Sequence, residues 1–200
     1  MKLYYAKGAC SLAVRIIINE IGIPCEYEGV NLKTKVTNSG ADYLKINAKG
    51  AVPVLVTDDQ EVLTENAVIQ QYLADKYHAT KLLPAEGDFK RYRVLEWLNF
   101  VATDLHKGCL PLFIDKIPAE LQEKLFKPML KNKLKHADQA LKSNKFLLGD
   151  TFTLPDSYLF VIISWMPHLG VNIEDLTNLQ RYYKDLKNYK SVAQALKDEG

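Results

Sequence analysis

Cys10 is the side chain in this sequence with the widest chemistry open to it. It follows Lys7-Gly8-Ala9 at the end of an apolar N-terminal segment and precedes Ser11, where a helix-periodic run begins. A thiol at a helix N-terminus with a positive neighbour is favoured as thiolate, the form that attacks electrophiles and exchanges disulfides. Cys10 therefore reads either as a nucleophile or mixed-disulfide partner, or as a small apolar filler. Ser11 reads either as a second donor or as the N-cap of the helix. Cys25, in an apolar strand, and Cys109, after Gly108, read as inert packing residues. Three cysteines without Cys-x-x-Cys spacing suggest neither a disulfide framework nor a zinc site.

A second group lies in the stretch from Asn47 to Asn66, which reads as two short strands joined at Asp58-Asp59-Gln60. Pro53 cannot donate to a strand ladder, and a cis bond before it would turn the Val52 backbone outward towards a ligand. Glu65 and Asn66 fall where an opening helix leaves unpaired N–H groups, which favour a carboxylate. The stretch is either a wall for an extended peptide-like ligand or an ordinary hairpin with an edge proline.

A third group is Asn99, Thr103 and His106, spaced four and three apart. At about 100° per residue they share one narrow arc of a helix beside its apolar face. Either they line a cleft between two halves of the chain, or they form a solvated edge with a satisfied histidine. No Gly-rich phosphate loop, His-Glu metal pair or Ser-His-Asp pattern accompanies them.

The elements that must position these groups can be read in order. Lys2 to Ala6 is a strand, Ser11 to Ile21 a helix stopped by Gly22, and Cys25 to Asn31 a second strand parallel to the first. Lys33 to Lys45 is polar, with irregular structure and a short helix expected. The hairpin follows, then a helix from Glu65 to Tyr77 with Val68, Ile69, Tyr72 and Leu73 on one face. This βαβ-ββα order is thioredoxin-like: a four-stranded α/β sheet with helices on both faces, over residues 1–78. Residues 79–88 read as a linker.

Residues 89–200 read as an all-helical domain. Its first long helix spans Phe89 to Lys107, with Leu95, Leu98, Val101, Ala102 and Leu105 to one side. A second runs from Pro118 to Ser143, where Pro128 should kink or split it. Thr153 and Asp156 form a variant capping box with Pro155 in the first turn, and amphipathic helices complete the chain.

Composition narrows the class. The chain has 200 residues, 48% hydrophobic and 25% charged, with 26 basic and 24 acidic side chains mixed along its length for a net charge of +2. That suits a folded protein of one or two domains and requires neither nucleic acid nor a membrane surface as partner. The N-terminus lacks a secretory pattern, and the apolar runs fall short of the ~20 residues that span a bilayer. The expected location is cytoplasmic.

Taken together, Gly8-Ala9-Cys10-Ser11-Leu12, Asn47-Ala48-Lys49-Gly50-Ala51-Val52-Pro53, Leu63-Thr64-Glu65, Gln71-Tyr72-Leu73-Ala74-Asp75, Glu96-Trp97-Leu98-Asn99, Leu105-His106-Lys107-Gly108 and Phe152 to Phe160 resemble the cytosolic glutathione transferases of the bacterial beta class. The resemblance covers both proposed domains. It implies glutathione as co-substrate, small hydrophobic electrophiles as acceptors, no metal, and a homodimer.

Residue by residue, it implies that the Val52 backbone, before a cis Pro53, pairs with the cysteinyl moiety of glutathione. Glu65 and Asn66 would hold the γ-glutamyl end, with Lys35 near the glycyl end. Cys10 would sit beside the glutathione sulfur, and Asn99 and Thr103 to His106 would complete the site, some across a dimer interface. Cys10, Ser11 and His106 become the candidate donors or neighbours of the reacting sulfur. The sequence departs from the pattern at Asn66, where a small or hydroxyl residue is usual, and at Asp104, where glutamate is frequent. Two other activities fit the same residues: a monothiol glutathione-dependent thiol–disulfide reductase using Cys10, and a non-catalytic binder of hydrophobic ligands.

Overall fold

The structure is a computed structural model that describes residues 1–200. It forms two compact units, one of Met1–Thr80 with Tyr189–Gly200 and one of Lys81–Asn188.

The first unit is a mixed sheet of β1 (Lys2–Tyr5), β2 (Glu26–Asn31), β3 (Val36–Thr37), β4 (Val54–Val56) and β5 (Val62–Thr64), in the order β3-β2-β1-β4-β5. β1 and β2 are parallel, joined through α1 (Ser11–Ile21), whereas β1 pairs antiparallel with β4, and β4 with β5. The expected sheet had four strands; the fifth, β3, is a two-residue strand antiparallel to β2. It lies in a segment too polar and weakly patterned to announce itself.

Alternation along β1 explains the two layers. Leu3 is fully buried, and Tyr4 points the other way, its ring 5.8 Å from that of Tyr43. Helices α1 and α2 (Asn66–Lys76) pack on each other over one side. On the other, the single 3₁₀ turn Tyr43–Lys45 joins Val30, Val52 and Val54 in a small core with Tyr4, Ala6, Ala9 and Ile46 against it.

Helix α1 is buried along Ser11 to Ile18, which a one-sided amphipathic helix would not be. Its second cover is the last helix, α9 (Lys190–Glu199). Asn19 Nδ2 donates to the Ser191 carbonyl (3.3 Å), and the Tyr189 hydroxyl donates to Glu20 Oε1 (3.1 Å). The expectation that residues 89–200 form one helical domain is corrected accordingly. The chain returns to the N-terminal unit because α1 has more apolar surface than the sheet and α2 cover. The expected linker also divides: Leu82 and Leu83 are buried in the second unit, where the Leu82 carbonyl accepts from the Leu154 N–H (3.3 Å).

The second unit is helical: α3 (Phe89–Phe100), α4 (Lys107–Cys109), α5 (Ala119–Leu121), α6 (Lys127–Ala140), α7 (Leu154–Ser164) and α8 (Thr177–Lys187). Every residue of α7 from Leu154 to Ile163 is buried, as befits a central helix that is mostly apolar, its Asp156 and Ser157 satisfied by internal hydrogen bonds. Between α3 and α4 the chain continues as a π-helical segment, Val101–His106, and between α5 and α6 as a second, Gln122–Phe126. The helix expected from Pro118 to Ser143 is split ahead of Pro128, as read: α5 gives way to the π-helical segment Gln122–Phe126 before α6 begins. Pro128 sits in the first turn of α6, where the missing N–H costs little, and the wide turn ahead of it makes room for the ring.

Candidate functional site

Cys10 occupies the N-cap position of α1, and its sulfur lies 3.4 Å from the Val52 carbonyl oxygen, as donor to it. That contact brings the thiol against the residue before Pro53, and the Val52–Pro53 bond is cis. Ser11 is not the N-cap. It is the first helical residue, fully buried, with its hydroxyl directed to the N–H (3.2 Å) and carbonyl (3.3 Å) of Ala6. Its hydroxyl therefore closes the loop between β1 and α1.

The same loop is held from two further directions. Gly8 N–H donates to Glu199 Oε2 on α9 (3.0 Å), and the Cys10 carbonyl accepts from Asn66 Nδ2 on α2 (2.6 Å). Neither partner was foreseen from the sequence, because they lie 191 and 56 residues away.

The loop that enters Val52 is pinned as firmly. The Ala51 carbonyl accepts from both the Tyr43 hydroxyl and Asn47 Nδ2, each at 2.8 Å, and Lys35 Nζ donates to the Gly50 carbonyl at 2.7 Å. Lys35 thus stands beside the loop that enters Val52. Gly50 has φ +61, and a Cβ there would meet Lys35 Nζ at 3.2 Å, so both conformation and space favour glycine.

At the start of α2, Glu65 adopts φ 73, an uncommon conformation for a residue with a side chain. Its carbonyl accepts the first helical bond, from Ile69 N–H (2.9 Å), so the amides of Asn66, Ala67 and Val68 lie ahead of the ladder. This is the arrangement that attracts a carboxylate. The Glu65 carboxylate is held by Lys49 Nζ at 2.5 Å, and the same ammonium reaches Thr64 Oγ1 at 3.0 Å. Lys49 is a residue that sequence reasoning passed over; its only signal was a positive charge near the hairpin.

In the second unit the expected polar stripe does not stay on one arc. Asn99 and Thr103 are exposed, whereas His106 turns inward beside Tyr158. The π-helical segment places more residues in each turn than an α-helix, so the angle from Asn99 to His106 differs from the α-helical value. The Thr103 hydroxyl donates to the Asn99 carbonyl (2.9 Å) and to Asp104 Oδ2 (3.1 Å). Asp104 also pairs with Lys133 Nζ (3.0 Å), and that bond holds its carboxyl below the usual carboxylate range.

His106 Nδ1 is 2.5 Å from the Tyr158 hydroxyl, with the Trp165 ring 5.2 Å away and Phe113 edge-on to Trp165 at 5.5 Å. Burial, aided by the nearby Lys107 charge, lowers the imidazole to about 4, so it is neutral at pH 7. Burial pushes the Cys109 thiol up to about 12, which agrees with an inert packing role.

Sequence comparison decides the family. Residues 8–76 match the family model of the glutathione S-transferase N-terminal domain, and residues 87–189 that of the C-terminal domain. The chain belongs to the glutathione S-transferase family. Among relatives of this transferase is glutathione S-transferase GstA of Escherichia coli O157:H7, 38% identical over 200 residues, 100% of this chain and 99% of the relative. A solved sphingomonad glutathione S-transferase complexed with glutathione superposes with a TM-score of 0.95 at 36% identity, covering 100% of this chain and 99% of that one. A bacterial beta-class glutathione S-transferase of Sphingomonas chungbukensis gives a TM-score of 0.94 at 36% identity, with coverage of 100% and 99%. The chain is therefore an enzyme of the transferase class with a thioredoxin-like N-terminal fold. None of its helices is long and apolar enough to cross a membrane.

Proposed function

We propose that this transferase binds reduced glutathione on its N-terminal unit and directs the sulfur at small hydrophobic electrophiles, as a cytoplasmic homodimer with a detoxifying role. The observation that carries the reading is the 3.4 Å approach of Cys10 Sγ to the Val52 carbonyl, in the same unit as the opening turn of α2. In this proposal the Val52 main chain pairs with the cysteinyl moiety, Pro53 shapes that segment, and Lys35 faces the glycyl carboxylate. Glu65 and the first amides of α2 hold the γ-glutamyl end.

The chemistry follows from position and charge. Glutathione's thiolate attacks the electrophilic carbon, a C–S bond forms, and the leaving group departs with its electron pair while the thiol proton passes to solvent. The positive end of α1 favours the thiolate, and fixed placement of the sulfur supplies the rest of the rate. Ser11 serves by holding the loop. In the helical unit, the proposal assigns the acceptor to the surface around His106, Trp165 and Phe113. It also keeps Asn99, Thr103 and Asp104 as glutathione contacts, the last with its carboxylate oriented by Lys133.

Calorimetric titration with reduced glutathione, followed by turnover over a broad panel of electrophiles, tests the proposal. Stoichiometric binding with turnover is expected; binding without turnover on any electrophile would point to a carrier of hydrophobic ligands. A second reading rests on the same sulfur contact: Cys10 forms a mixed disulfide with glutathione and works as a monothiol reductase. Mass spectrometry with and without reductant, and a Cys10→Ala variant assayed on a mixed disulfide and an electrophile, separate the two. Conjugation retained with reduction lost would assign reduction to Cys10.

A further inference from the structure

We infer that Asn66 is a positioning residue whose side chain holds the Cys10 main chain, setting the separation between the N-termini of α1 and α2, and does not serve as a contact to the bound ligand. The inference rests on the proposed glutathione site and assigns a role at that site that the resemblance gave to a ligand contact.

Both ends of the Asn66 amide are engaged inside the protein. Nδ2 donates to the Cys10 carbonyl at 2.6 Å, and Oδ1 accepts from Gln70 Nε2 one turn further along α2, also at 2.6 Å. Asn66 is 6% exposed and Gln70 is fully buried. A buried amide pair left unsatisfied is costly, so this relay is retained in one geometry. The Cys10 carbonyl takes a second donor, the Ala13 N–H (3.1 Å), as the N-cap of α1 does by construction.

The relay therefore links the first residue of α2 to the cap of α1. Both helix N-termini favour negative charge, one for a thiolate and the other for a carboxylate. Their spacing decides whether one tripeptide can reach both. A serine at position 66 is too short to span from α2 to the Cys10 carbonyl, and an aspartate would set a carboxylate against that carbonyl. Asparagine has both the reach and the donor the carbonyl requires.

The test uses the full chain as wild type, Asn66→Ser and Asn66→Asp. The first readout needs no glutathione: the pH dependence of Cys10 alkylation by iodoacetamide, located by peptide mass spectrometry. A positioning role predicts that the midpoint rises by about one unit in Asn66→Ser, roughly tenfold less thiolate below it, and by more in Asn66→Asp. The second readout is calorimetric affinity for glutathione with kcat for conjugation. Asn66→Ser is expected to lower kcat about tenfold while affinity changes less than about threefold. An unmoved alkylation midpoint with affinity weakened tenfold or more would overturn the inference and make Asn66 a ligand contact. Wild-type behaviour of both variants in every readout would overturn it as well. Wild type that fails to bind glutathione would remove the proposed site, while the alkylation profile would still decide the link to Cys10. Asn66→Asp, which matches asparagine in size, carries the same decision if Asn66→Ser does not fold.

Discussion

The Tyr182 hydroxyl donates to Asp156 Oδ1 at 3.0 Å, closing a ring of donors around a carboxylate with no solvent exposure. The Leu147 N–H reaches the same oxygen (2.9 Å), and the Thr153 N–H and hydroxyl reach Oδ2 (2.8 Å each). The capping box read from Thr153 and Asp156 is thus also the junction of α7, α8 and the Phe146–Phe152 loop. Asp156→Ala strands the Leu147 and Thr153 donors, while the Tyr182 hydroxyl keeps the main-chain carbonyl of residue 156 at 3.1 Å, and a loss of about 3 kcal/mol is expected. Urea unfolding should show it as a lower midpoint with little change in slope.

The pH dependence of stability should carry two opposed contributions. Burial, only partly offset by its hydrogen bonds, raises the Asp156 carboxyl to about 6 from an ordinary 3.8. A raised carboxyl contributes stability fully below 3.8 and loses it as pH rises through 6. His106, lowered to about 4 from 6.5, contributes stability fully above 6.5 and loses it as pH falls through 4. Between pH 4 and 6 the two slopes oppose each other. His106→Gln should therefore leave stability falling as pH rises through that window, more steeply than in wild type. Denaturant melts at several pH values measure this, and an NMR titration of His106 with a midpoint near 6.5 would contradict it.

Glu65 stores backbone strain at the start of α2, since φ 73 costs a residue with a Cβ about 1–3 kcal/mol. Its ion pair with Lys49 is exposed and worth little in stability. Glu65→Gly is expected to melt at the same temperature as wild type or higher, while KM for glutathione rises about tenfold or more. Stability lost together with affinity would mean that the side chain holds the fold.

Glu199 is expected to matter to the thiol loop although it stands at the other end of the sequence. Its buried side chain accepts from Gly8 N–H and lies 3.8 Å from Arg15 Nε, and the Arg15 guanidinium is stacked on Tyr27 (3.7 Å) and Tyr5 (4.5 Å). Glu199→Ala removes a carboxylate from a buried cation, a loss of about 3–5 kcal/mol at full burial. Glu199→Gln can still accept from Gly8. Hydrogen exchange at the amides of Gly8 to Cys10 should quicken more in Glu199→Ala than in Glu199→Gln.

Much of the scaffold was legible because its signals are local. Apolar spacing marks α1, Gly22 ends it in a left-handed cap, and Thr153 with Asp156 opens α7; on α2, Ile69 and Leu73 are buried as read, but Val68 is exposed and Asn66 and Gln70 are buried in its place. The βαβ-ββα order follows from those signals, and Cys10, Val52 and Glu65 stand out because of where they fall in it. Within the candidate site, however, local pattern identifies a position without saying what its side chain reaches. The Asn66 side chain, read as a ligand contact, donates to the Cys10 carbonyl, and the Ser11 hydroxyl, read as a cap or a donor, bonds to the Ala6 main chain. Arg15 sits mid-run among apolar residues, and only two tyrosine rings and Glu199 explain it.

The sequence by itself determined the strands β1, β2, β4 and β5 and the course of the main helices, because those outcomes depend on neighbours a few positions away; β3, the cap of α1 and the π-helical segments were not among them. Tertiary structure alone decided the return of α9 to α1, the latch between Lys49 and Glu65, the inward turn of His106 and the grip of Asn66 on Cys10. Each of these joins groups whose hydrogen-bonding or apolar surface is satisfied only by a distant partner or by a change of helical turn, and periodicity carries no information about such pairings.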